Sequence, residues 1–303
     1  MTLAALAASR PRLFEAGIRL DRAPALAWLA LQAAALAPTW AWMARRMRDG
    51  SDDPMGLLAI AALGLLVWTL RRQLRAEPRL GWLALAGCAT LAATLLRTGI
   101  GGVLPGLPPL AAGLVAVLAL ACGLLAFLPG RVARLPVAGL AVLALPLLSS
   151  LQFYAGFPLR VLTAEASRWL LAPFFAMDRE GASLLVDGRL VIVDAPCSGV
   201  QMAWLGYFCA CAMALRCGRD DRGFLARLPA VGTLVLAGNV LRNSLLVGLE
   251  GAGHVPPPWL HDALGLLLLA GVCGAIGGVI AGRRPARPVL AAGASRIRLG
   301  SAS

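Results

Sequence analysis

Lysine is absent from this 303-residue chain, histidine and tyrosine occur twice each, and Asp and Glu together number 15. Charged residues of either sign make up 14% of the sequence, against roughly 25% in soluble globular domains. That scarcity excludes an ordinary soluble fold. The net charge of +13 does not point to nucleic acid, because the arginines gather at the ends of apolar runs. Positive charge there orients a membrane protein. Metal-knuckle spacing is missing too. The seven cysteines are Cys88, Cys122, Cys197, Cys209, Cys211, Cys217 and Cys273. Their number is odd and no C-x-x-C occurs, so neither a disulfide framework nor a zinc site is expected. No cofactor is expected either. Residues 1–22 carry Arg10, Arg12, Arg19 and Arg22 without a compact apolar core and small-residue cleavage site, and read as a cytoplasmic lead-in rather than a signal peptide.

What is abundant is hydrocarbon. Apolar residues make up 59% and the mean hydropathy is +0.77. Apolar runs recur at about the 20 residues needed to cross a bilayer. The expected fold is an all-α polytopic membrane protein with about eight transmembrane helices. The spans are placed at roughly Pro24–Met43, Pro54–Leu70, Leu80–Leu96, Leu107–Leu128, Leu135–Phe153, Gly199–Leu215, Pro229–Leu249 and His261–Ala281. The division expected is a five-span region (1–153), an extracytoplasmic loop (154–198), a three-span catalytic region (199–282) and a basic cytoplasmic tail (283–303). Arginine-rich segments at the N-terminus, 71–79, 131–134, 216–227 and 283–298 fall on one side of such a layout. That side should be the cytoplasm, which sets an N-in, C-in topology. The loop after the first span, where Arg45, Arg46 and Arg48 meet Asp49, Asp52 and Asp53, fits this pattern least.

The long outer loop has two expected parts. Leu159, Leu162, Ala166, Trp169 and Leu170 recur at helical spacing with Arg160, Glu165 and Arg168 between them. This predicts an amphipathic segment lying in the outer headgroup region. Asp187-Gly188 then sits between the aliphatic runs Leu184–Val186 and Leu190–Val193, which predicts a β-hairpin. The hairpin leads into Asp194-Ala195-Pro196-Cys197-Ser198-Gly199.

Three polar positions stand out against the apolar background. Cys197 stands where the hairpin meets the sixth span, between Pro196 and Gly199, close to helix-terminal N–H groups that favour a thiolate. The other six cysteines are expected to be buried packing residues. Arg242 lies about 20 Å along the seventh span, in its outer half. A charge there costs at least ~2.5 kcal/mol and normally faces the bundle interior. Asn239 lies one turn before it on the same face, and Asn243 follows it. His261 opens the eighth span. The chain's other histidine, His254, is in the preceding loop. The topology brings Cys197, Arg242 and His261 from three spans to the outer end of the bundle. Acyl transfer needs a nucleophile, a base and an oxyanion stabiliser, and these three side chains can supply them.

Ala195-Pro196-Cys197-Ser198-Gly199, then Asn239-Val240-Leu241-Arg242, then His261 with Gly265, together resemble the exosortase/archaeosortase family. The order Cys, Arg, His and the span layout agree with it. The resemblance implies a membrane cysteine protease-transpeptidase of a bacterial inner membrane, with its active site at the periplasmic face. Its partners would be proteins bearing a C-terminal sorting signal: a short motif, a transmembrane helix and a basic tail. The acceptor would be a glycan or lipid at the cell surface. Cys197 would be the nucleophile forming a thioester, Arg242 the oxyanion stabiliser and His261 the general acid/base. Asn239, Ser198 and Gly199 would support them. A transporter or polysaccharide-export component is the alternative from another class, since intramembrane arginine also occurs there. It is disfavoured by the lack of paired half-repeats and by the scarcity of acidic residues within the spans. A catalytically silent scaffold is the third reading.

Overall fold

The computed structural model describes residues 24–48, 50, 54–98, 108–192, 199–254 and 257–282. It is mostly helical with one small sheet. The first expected span is broken in two, into α1 (Ala25–Ala35) and α2 (Ala37–Arg48). Pro38, in the first turn of α2, has no N–H to carry the α1 ladder onward. Arg45, Arg46 and Arg48, expected in a loop, form the last turn of α2, where cations suit the C-terminal carbonyls. Helices α3 (Gly56–Leu70), α4 (Leu80–Thr98) and α5 (Pro109–Phe127) follow the expected second to fourth spans.

The fifth span is not a single rod over Leu135–Phe153. It is replaced by α6 (Arg134–Leu143) and α7 (Leu148–Leu171), bent by 94° to one another. Pro146 lies in the break and removes a ladder N–H. The expected boundary between span and outer loop at 153/154 therefore falls inside α7. Strands β1 (Met177–Glu180), β2 (Ser183–Val186) and β3 (Arg189–Ile192) come next, then α8 (Val200–Arg216), α9 (Asp221–Leu225), α10 (Leu228–Gly251) and α11 (Pro258–Ala281). Among the described residues, four segments are long and apolar enough to cross a membrane: α4, α5, the one ending in α10, and α11. The bent pair α6–α7 would make a fifth span, and α1 and α3 are shorter apolar helices. The count of eight rests on the sequence.

The described residues of 1–41 and 67–129 make one compact unit, and those of 42–66 and 130–303 a second. In the first, α4 packs along α5, and Gln32 of α1 donates to Thr90 Oγ1 of α4 (3.1 Å) and to the Ala119 carbonyl of α5 (2.8 Å). Gly123 leaves room for that amide, since a Cβ there would overlap it. Leu36, Ala93 and Ala116 form a buried cluster. The last carbonyls of α5 are capped from the α3–α4 connection. Arg75 N–H donates to Phe127 O (2.8 Å), Arg79 N–H to Ala126 O (3.0 Å), and the Arg79 guanidinium to Leu125 O and Leu128 O. These are groups a helix cannot satisfy by itself.

In the second unit α8 packs against α6, α7, α10 and α11, and α10 also packs against α7 and α11. Small residues allow the close crossings: Gly206 of α8 faces Val235 of α10, and Gly238 of α10 faces Val272 of α11. The sheet is antiparallel in the order β1-β2-β3. The expected hairpin is present, with Val186 paired to Arg189 and Asp187 (φ 48°) and Gly188 (φ 79°) both left-handed. Two such residues make the turn whose twist matches a hairpin. Asp187 also ties the turn to the chain before β1: its carboxylate accepts from Ala176 N–H (2.8 Å), and its own N–H donates to Ala176 O (3.0 Å). Leu184, Val186 and Val191 cluster with Ala164 and Leu171 of α7 and Val247 of α10. The sheet thus caps the C-terminal ends of those two helices. Glu165 of α7 adds an ionic link, accepting from Arg179 of β1 (2.6 Å) and Arg168 (2.7 Å).

Candidate active site

The site is built on a polar stripe between α7 and α10. Asn239 Nδ2 donates to Thr163 Oγ1 (3.1 Å), and Asn243 Nδ2 donates to Ser167 Oγ (2.9 Å). All four side chains are buried. Each pair advances by four residues on both helices, so the helices run side by side in the same direction. Leu171 continues the contact near Gly248.

The expected amphipathic segment is not a separate helix. The segment 159–170 is the second half of α7. Three of its apolar members point outward, with Leu162, Trp169 and Leu170 at 48%, 67% and 49% exposure, Leu159 and Ala166 are half-buried, and Gly156, Thr163, Ala164 and Ser167 face the protein. In hydrocarbon the polarity of a helix face is reversed: small and hydroxylated residues seek neighbouring helices and apolar ones meet the tails.

Arg242 and His261 meet. Arg242 Nη2 lies 3.0 Å from His261 Nε2, and both residues are half-buried. A guanidinium can only donate, so a hydrogen bond here requires the tautomer in which Nε2 accepts and the ring proton is on Nδ1. Gly265, one turn into α11 from His261, lets the guanidinium cross: a Cβ there would stand 3.1 Å from Arg242 Nε.

The third element arrives at Gly199, the residue before α8. Its φ of +84° is left-handed, and a Cβ would stand 2.8 Å from Asn239 Cγ. Glycine is required there on both counts. The N-terminus of α8 therefore seats on Asn239, one turn from Arg242. Of the residues singled out in the sequence, Arg242, His261, Asn239, Gly199 and Gly265 come together. Cys197 and Ser198 lie outside the described residues. The sequence reading missed Thr163 and Ser167. Their signal was present: Asn239 and Asn243 are the chain's only asparagines, and their spacing of four is repeated by the two hydroxyl residues of α7.

The remaining cysteines are packing residues in part. Cys211 is buried close to Gly139, and Cys209 Sγ donates to the Cys273 carbonyl at 3.6 Å. Cys88, expected to be buried, is exposed on α4. His254 is exposed at the end of α10.

At the far end of the unit the arginines do different work. Arg219 donates to Ile280 O (2.6 Å) and Ala281 O, and Arg227 to Val279 O (3.0 Å) and Gly223 O (2.6 Å). Arg134 pairs with Asp221 (3.0 Å), which also accepts from Leu135 N–H (2.7 Å). Two of the segments expected on one side, 131–134 and 216–227, thus meet at the end opposite Arg242 and His261, together with the C-terminal turn of α11.

No curated protein and no solved structure matches the chain. The comparison with families does give a match, over residues 42–278, a stretch that includes the Asn239–Thr163 contact, the Arg242–His261 pair and the turn leading into α8. The chain is a membrane protein and belongs to the transmembrane exosortase family.

Proposed function

We propose that this chain is a cysteine endopeptidase-transpeptidase that processes proteins carrying a C-terminal sorting signal of short motif, transmembrane helix and basic tail. Family membership supports the processing role. The observation that carries the chemistry is the 3.0 Å contact between Arg242 and His261 beside the seat of Gly199 on Asn239. Cys197 is two residues from Gly199, so its Cα can be no more than about 7.6 Å from that of Gly199. The nucleophile is tethered to the polar stripe by covalent reach alone.

The steps balance with these three residues. His261 Nε2 takes the Cys197 proton as the sulfur attacks the scissile carbonyl. Once protonated, Nε2 has no lone pair left to accept from Arg242. The guanidinium is released as negative charge builds on the carbonyl oxygen, and it can turn to that oxygen. The C–N bond breaks, the leaving amine takes the proton back from His261, and the acyl group remains on Cys197 as a thioester. An acceptor amine, or water, then attacks the thioester and restores the thiol. The orientation rule favours the cytoplasmic side for the arginine-rich end, and this supports a site at the outer face, which the family resemblance would make the periplasmic face of a bacterial inner membrane. A substrate's own basic tail would stay inside for the same reason. The acceptor would be a surface glycan or lipid.

The test is capture of the intermediate. A tagged membrane protein with such a C-terminal signal, co-expressed with the full chain, should form a hydroxylamine-sensitive adduct at Cys197, identified by mass spectrometry. Cys197→Ala should abolish adduct and processing together. Unchanged processing by Cys197→Ala would overturn the proposal and favour a transporter or scaffold.

A further inference from the structure

We infer that Thr163 and Ser167 are positioning residues of this site: through Asn239 and Asn243 their hydroxyls fix the rotation of α10 that turns Arg242 to His261 and seats the N-terminus of α8. The inference rests on the proposed Cys–Arg–His chemistry, and it adds two residues of α7, a helix that supplies none of those three groups.

Apolar packing alone leaves helix rotation undetermined. Helices in a bilayer gain no hydrophobic free energy by associating, and van der Waals contacts between aliphatic chains tolerate small rotations and slides. Hydrogen bonds between buried side chains do not, because each has one acceptor at one place. Here there are two, at 3.1 and 2.9 Å, one turn apart on both helices. One contact would fix a point. Two fix both the register and the rotation of α10 against α7. Arg242 lies between the two asparagines in sequence, so the rotation that satisfies both also fixes where Arg242 leaves the helix. Asn239 has a second neighbour in Gly199, whose missing Cβ lets the turn into α8 lie against the amide. A Thr163 hydroxyl that holds Asn239 on one side therefore also sets the surface on which Gly199 and the start of α8 rest.

The alternative is that the hydroxyls contribute stability alone. The two are separated by reading the reactivity of Cys197 itself. The full-length protein in native membranes is alkylated with iodoacetamide from neutral to alkaline pH, and modification of Cys197 is quantified by mass spectrometry beside a thermal melt. In the wild type, Cys197 should react at neutral pH faster than a free thiol, and His261→Ala should remove that advantage. The isosteric Thr163→Val and the small Ser167→Ala, singly and together, should slow neutral-pH alkylation by about tenfold, equivalent to one pH unit in the thiol's profile. Thr163→Ser and Ser167→Thr keep the acceptor oxygen and should restore the wild-type profile. The single variants keep the test valid if the double variant does not fold. A wild-type reactivity profile in Thr163→Val and Ser167→Ala, with only the melting temperature lowered, would overturn the positioning role and leave the Cys–Arg–His reading intact. An ordinary thiol profile in the wild type, unaffected by His261→Ala, would bring down that reading and this inference with it.

Discussion

The two ends of the second unit use the same side chain in opposite ways. At one end Arg219 and Arg227 turn their guanidiniums onto the last carbonyls of α11. Those oxygens have no partner within their own helix, and arginine near a helix C-terminus also meets a favourable dipole. Arg79 does the same for α5 in the first unit. At the other end Arg242 is held within a helix, nine residues short of its final residue, and faces the ring of His261. A carbonyl is a permanent acceptor. The lone pair of an imidazole is lost when the ring takes a proton. An arginine on carbonyls is fixed, whereas one on histidine is released by a proton, and only the second arrangement can respond to a reaction.

That contrast can be broken, and the largest effects should test it first. Arg242→Ala should lower processing of a tagged sorting-signal reporter by about 10²–10³-fold, as for loss of an oxyanion donor. Arg242→Lys should not restore it, because an ammonium lacks the planar fork. Equal loss in Arg219→Ala, at matched protein level, would erase the distinction between the two ends. Gly265→Ala should come next. A Cβ 3.1 Å from Arg242 Nε displaces the guanidinium and should reduce kcat by about tenfold, with the melting temperature unchanged. A normal kcat would mean that Arg242 works from another position. Arg219→Ala and Arg227→Ala should each cost about 1–3 kcal/mol by leaving helix-end carbonyls unmet, seen as a lower melting temperature in detergent with turnover per folded molecule preserved. The smallest effect is expected at the hairpin. Gly188→Ala places a Cβ at φ +79° and should cost about 1–2 kcal/mol, with activity retained if the sheet acts only as a cap.

The parts of the fold that were legible are those where local chemistry names the structure. Asp187-Gly188 demanded its turn, and the apolar runs at 80–96, 107–128 and 229–249 closely match α4, α5 and α10. β1 was not legible, because Met177-Asp178-Arg179-Glu180 is largely exposed and carries no alternation. The bend between α6 and α7 was hidden inside a continuous aliphatic run, with Pro146 as the sole mark. The length of α7 was misread. Periodicity located the helical segment, but its extent was lost: 159–170 is not separate and continues α7 from Leu148. Arg242, His261 and Asn239 could be read because polar groups are expensive in an apolar span. Thr163 and Ser167 escaped because a hydroxyl is nearly inconspicuous there, and its value appears only beside the asparagine that uses it.

The parallel pairing of α7 and α10 also carries a consequence for biogenesis. Ribosomes deliver α7 to the bilayer well before α10 exists. A threonine or serine in a helix can wait, since its hydroxyl can turn back onto a carbonyl of its own preceding turn. A carboxamide has more donors and acceptors than one such back-bond can meet. The helix born first therefore carries the undemanding half of each bond, and the late arrival, with the two groups least able to remain unmet in lipid, finds its docking template already in place.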